Sequence, residues 1–127
     1  MSASNYLENK VLDHVLGSSA LAQPSALYVA LSTGSFNDDA SGTELSGNGY
    51  TRKVVTFGTA SSGSISSNSN VEFDDATGSW GSVSHFGIFD ASSSGNLLYH
   101  GAFSSAKTIE TGDVLKIASG SLTVSLD

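Results

Sequence analysis

The stretch Val83-Ser84-His85-Phe86-Gly87-Ile88-Phe89-Asp90-Ala91, followed by Ser92-Ser93-Ser94-Gly95-Asn96 and Leu97-Leu98-Tyr99-His100-Gly101-Ala102-Phe103, decides the class of fold. Successive side chains of an extended strand point to opposite sides. Val83, His85, Gly87 and Phe89 therefore fall on one face, and Ser84, Phe86, Ile88 and Asp90 on the other. The small-residue cluster between the two runs is turn chemistry, so the stretch reads as a β-hairpin. C-terminal to it, Thr111-Gly112-Asp113 marks another turn, and strands are expected at 114–118 and 122–126. In the last of these Leu122, Val124 and Leu126 alternate with Thr123 and Ser125.

N-terminal to the hairpin, residues 74–82 are rich in turn residues and hold the only tryptophan, Trp80. A brief strand is expected at 71–73. Residues 59–70 are nearly all Ser, Gly and Asn around Ile65, a loop or a strand poorly anchored by side chains. Residues 50–57 alternate and read as a strand near an edge, where Arg52 and Lys53 discourage edge-to-edge pairing. Ala26 to Leu31 is a short apolar run and reads as a buried strand. The polar loop after it, residues 32–49, is long enough to be functional or mobile.

The first element differs in period. Leu7, Val11 and Val15 recur on one stripe with Leu12 and Leu16 beside it, which predicts a helix over 5–16. Asn5 can cap it with Glu8 closing a capping box, and Gly17 can end it in the left-handed region. A helix of this length is marginal alone and must dock its stripe on something. The fold expected is mainly β: an antiparallel, jelly-roll-like β-sandwich of seven or eight strands with one N-terminal α-helix. The length predicts one domain over 1–127, with the β region at about 26–126.

The 127 residues include 26 Ser and 14 Gly, and only 13 % are charged. The absence of cysteine excludes disulfides, thiolate zinc sites and a cysteine nucleophile. A formal charge of −7 with five basic residues argues against nucleic acid as a partner. No apolar run is long enough for membrane insertion, and residues 1–10 lack the pattern of a secretory signal.

Catalytic and metal chemistry is weakly supported. His14 reads as a boundary residue of the helix, while His85 and His100 lie in neighbouring strands and could face each other. Asn37, Asp39, Ser41 and Gly42 have the spacing that opens a calcium loop, with Glu44 nearby. The twelfth position is Asn48 rather than a bidentate glutamate, so a solvated turn is favoured over calcium at 37–44. Asp74 or Asp75 with Asp90 would be the carboxylates of a glycan hydrolase, an outcome not expected here. No catalytic residue, metal or cofactor is assigned. Trp80, Tyr50 and Tyr99 are candidates for a sugar-stacking platform, although a tryptophan between Ser79 and Gly81 also suits a plug at the end of a sandwich.

Several segments carry a family likeness. They are Ser4-Asn5-Tyr6-Leu7-Glu8-Asn9-Lys10-Val11-Leu12-Asp13-His14, Pro24-Ser25-Ala26-Leu27-Tyr28-Val29-Ala30-Leu31, Gly49-Tyr50-Thr51-Arg52 and Gly78-Ser79-Trp80-Gly81. Further along are His85-Phe86-Gly87-Ile88-Phe89-Asp90-Ala91, Gly95-Asn96-Leu97-Leu98-Tyr99, Gly112-Asp113-Val114-Leu115 and Leu122-Thr123-Val124. Over nearly its whole length the chain resembles a family of small structural proteins of tailed bacteriophages, often labelled tail fibre proteins. The resemblance implies a non-enzymatic subunit on the virion exterior, of tail-fibre, baseplate or capsid-decoration type, made in the host cytoplasm. The alternative is a carbohydrate-binding module for host attachment. Expected partners are other copies of the chain (a trimer by analogy), capsid or tail proteins, and a host surface glycan. Leu7, Val11, Leu12, Val15 and Leu16 are the candidate docking face.

Overall fold

The computed structural model describes residues 1–126. Among these the order is β1 (Ser2–Ala3), α1 (Asn5–Val15), β2 (Leu27–Ser32), β3 (Lys53–Val55), β4 (Ser64–Ser66) and β5 (Val71–Glu72), then β6 (Gly81–Phe89), β7 (Leu97–Ile109), β8 (Lys116–Ile117) and β9 (Thr123–Ser125). The class is the one expected: mainly β, antiparallel, with one N-terminal helix. Five strands form one sheet in the order β1-β7-β6-β2-β3, and β4-β9 and β5-β8 form two short pairs. Val29, Leu31, Val55, Val83 and Phe86 of the large sheet pack against Val71, Phe73, Ile117 and Leu122 from the short pairs and their flanks. On the other face of the large sheet, Ala30, Phe89 and Leu97 meet Phe36.

The β6–β7 hairpin forms as expected, closed by Asp90, whose carboxylate accepts from the Asn96 backbone N–H at 2.7 Å and from its side-chain amide at 2.9 Å. Strict alternation fails at its start. The register slips between Val83 and His85, and Val83 joins Phe86 in the core instead of sharing the face of His85. A bulge changes the phase of every side chain beyond it.

Other expectations are corrected. Ser4, not Asn5, caps α1: its hydroxyl accepts from the Leu7 N–H at 3.2 Å and donates to the Leu97 carbonyl. The capping box with Glu8 therefore does not form. Leu16 is the C-cap, and Gly17 is not among the residues of positive φ. Gly17 instead sits close under the preceding turn, where a Cβ would lie 3.0 Å from the Asp13 carbonyl oxygen. The strand predicted over 50–57 shrinks to β3, which lies at an edge of the large sheet as expected, and the basic residues there are held in ion pairs. Arg52 is paired with Glu44 and Lys53 with Asp74. The 32–49 loop is anchored: Phe36 is buried and stands edge-on to Phe89 at 5.8 Å, and the Leu45 N–H bonds the Leu31 carbonyl at 2.9 Å.

Candidate functional site

The apolar stripe of α1 divides. Side chains advance about 100° per residue around a helix, so Leu7, Val11 and Val15 drift steadily around the axis, and Leu12 and Leu16 lie further round. Ser4 fixes the first turn against β7, so Leu7 is buried and Val11 is half-buried. Leu12, Val15 and Leu16 face outward, 55 %, 67 % and 80 % exposed. Beside them lies a groove of about 330 Å³ lined by Ala3, Leu7, Val11, Leu12, Tyr99 and Leu126. Tyr99 also borders a second hollow of about 380 Å³ with Leu27, Phe57, Ile65 and Val124. Burial pushes the Tyr99 hydroxyl pKa up.

Of the three candidate aromatics, the fold brings two together. Trp80 is 5 % exposed, and its indole N–H donates to the Asn48 carbonyl at 2.8 Å. Its ring stands edge-on to Tyr50 at 5.8 Å and to Phe73 at 6.5 Å. The Tyr50 hydroxyl donates to Glu44 at 2.6 Å and accepts from the Leu31 N–H at 3.1 Å. Burial first, then that hydrogen bond to a carboxylate, raises the Tyr50 pKa. Trp80 therefore fills the end of the core and offers no open face, and Tyr99 stands apart beside α1.

The densest polar constellation escaped sequence reasoning. Arg52 forks onto Glu44, with Nε and Nη2 each 2.8 Å from a carboxylate oxygen. Nη1 donates to the Ala91 and Ser94 carbonyls at 2.9 and 2.8 Å, and the guanidinium lies 3.8 Å from the centre of the Phe89 ring. One side chain thus ties the 32–49 loop to the β6–β7 turn. Burial pushes the Glu44 pKa up, but hydrogen bonds from Arg52 and Tyr50 outweigh it and hold the carboxyl below its ordinary value. The only sequence signal is opposite charge across the Gly47-Asn48-Gly49 turn, which many unpaired surface residues share.

The remaining reactive groups are dispersed. His85 lies opposite Ala102 and His100 opposite Gly87, so the two histidines do not face each other. His85 Nδ1 bonds Ser84 Oγ at 2.7 Å, His100 Nε2 bonds Asp38 Oδ1 at 2.7 Å, and His14 Nδ1 accepts from the Leu21 N–H at 3.0 Å. In the calcium-type loop Asp39 is turned onto Ser41, accepting from its N–H and hydroxyl. These hydrogen bonds lower the Asp39 pKa. Asp74 faces Lys53 and Asp90 holds Asn96. Among the described residues no three His, Asp or Glu side chains converge as a metal site would require.

The model of the family described as Gp80, podophage GP4 fiber I protein gp80, matches residues 2–125. No curated protein matches the chain.

Proposed function

This chain belongs to the podophage GP4 fiber I protein family, and from that premise we propose that it is a non-enzymatic subunit on the phage exterior that works through contacts between subunits. The outward half of α1 is the contact face. The observation that carries the reading is the exposure of Leu12, Val15 and Leu16 on a helix whose first turn is locked to the sheet. Fully burying each such side chain is worth about 1.5–3 kcal/mol, so a partner surface gains by covering them. Supporting this, only 13 % of residues are charged, which spares an interface the cost of desolvating ions.

The occupant of the face in this reading is another copy, in a trimer. Light scattering on the purified chain tests it: wild type runs at three times the 12.9 kDa chain mass, and Leu12→Asp runs as a monomer with an unchanged circular dichroism spectrum. Equal masses for the two proteins overturn the contact face. Placement is read from purified particles by mass spectrometry. A fibre position gives a few copies per particle, capsid decoration gives hundreds, and absence from particles defeats the proposal.

A further inference from the structure

β7 runs from Leu97 to Ile109, but β1 pairs only with its Tyr99 and His100. Beyond them the outer edge of β7 has no strand partner among the described residues. Residues 103–106 also lack a registered partner on β6, because the pairing jumps from His85–Ala102 to Val83–Lys107. This stretch borders two adjoining hollows of about 360 and 350 Å³, with residues 115–118 and 121–123 as the opposite wall. The floor is apolar: Phe86, Phe103, Ile117 and Leu122. β7 and β8 flank the space in separate sheets and do not pair with each other.

Charge distinguishes this flank from the rest of the surface. The chain has five basic residues against twelve acidic. Arg52 and Lys53 are in ion pairs, and Lys10 lies over the Tyr6 ring. The other two, Lys107 and Lys116, line the same hollow from opposite walls, and among the described residues neither is in an ion pair. Glu72 lies across the β5–β8 pair from Lys116 without forming one.

A row of backbone N–H and C=O groups without a strand partner is a ready template for another extended backbone. We propose that this flank is a strand-addition site for an extended acidic segment of a neighbouring protein. The segment runs antiparallel to β7 in line with β1, and its N-terminal carboxylates lie between Lys107 and Lys116. The fibre reading supplies only the setting. The test uses the isolated chain, so its failure leaves the α1 contact standing.

The probe is an acetylated, amidated heptapeptide of two aspartates followed by alternating valine and threonine, titrated into the isotopically labelled full chain by NMR. A control peptide carries two lysines in place of the aspartates. The expected result is amide shifts confined to residues 101–107 and 115–123, with the acidic peptide binding at least tenfold more tightly. Both lysines are exposed, and Lys107→Glu combined with Lys116→Gln sets no second glutamate opposite Glu72, so the pair of changes keeps the fold and removes the preference. Equal affinity of the two peptides, no binding of the acidic one at millimolar concentration, shifts centred on α1, or an unchanged preference in the double variant overturns the proposal.

Discussion

Arg52 shows how much of this fold rests on one side chain. Its guanidinium answers Glu44, two turn carbonyls and the Phe89 ring at once. Removing it leaves a partly buried carboxylate without its counter-ion, which costs more than an exposed ion pair contributes. Arg52→Ala is expected to lose about 2–3 kcal/mol, a fall in Tm of roughly 10 °C by calorimetry. Arg52→Lys recovers only part of this, since an ammonium cannot fork onto a carboxylate while reaching two carbonyls. The pH dependence has a defined sign. Glu44 has a lowered pKa in the folded chain, so its contribution is complete above its ordinary value of 4.5 and is lost as pH falls through the folded value. Tyr50 has a raised pKa, so its contribution is present below its ordinary value of 10.0 and is lost as pH rises beyond that. In Arg52→Ala the acid limb is shallower, because Glu44 keeps only the Tyr50 hydrogen bond and is held less far down. An acid limb identical to wild type in denaturant titrations would contradict the clamp.

At the scale of the element, α1 is a helix with two halves. The periodicity of Leu7, Val11 and Val15 was legible, because spacing states which residues share a face. What that face meets was not legible: Ser4 sets it, by capping the helix and bonding the Leu97 carbonyl across 93 residues of sequence. Leu7 and Leu12 therefore separate folding from assembly. Leu7→Ala is expected to cost about 2–3 kcal/mol in urea unfolding, as truncation of a buried leucine does. At dilutions where both proteins are monomeric, Leu12→Asp is expected to stay within about 0.5 kcal/mol of wild type, as exposed substitutions do. Comparable losses in the two variants would mean that Leu12 is covered in the monomer. The strands follow the same division. β6 and β7 announced themselves by alternation and a turn cluster. β4, with Ile65 alone between serines, did not, since its partner β9 lies 59 residues on. The Arg52–Glu44 clamp stayed hidden likewise, because it joins segments by charge with no period to reveal it.

In the whole molecule, stability is unevenly distributed, and this yields a test that depends on no substitution. β2 and β6 are the central strands of the large sheet, with Val29, Leu31 and Val83 fully buried. α1 is tethered through Ser4 and Leu7 to β7, and Leu12, Val15 and Leu16 at its end remain largely exposed. Segments with few buried contacts open locally at low cost, whereas central strands exchange only on global unfolding. Hydrogen exchange on the monomer is expected to be slowest in β2 and β6, and fast from Lys10 through Leu16. Tryptophan fluorescence should report the slow unit, since Trp80 lies in the same core and its indole N–H is bonded to Asn48. Assembly then has a local signature. If the outward half of α1 is covered by a neighbour, its amides gain protection in the oligomer while exchange in β2 and β6 scarcely changes. The opposite pattern, with α1 still fast and the gain appearing along the free edge of β7, would move the contact between copies to the other flank.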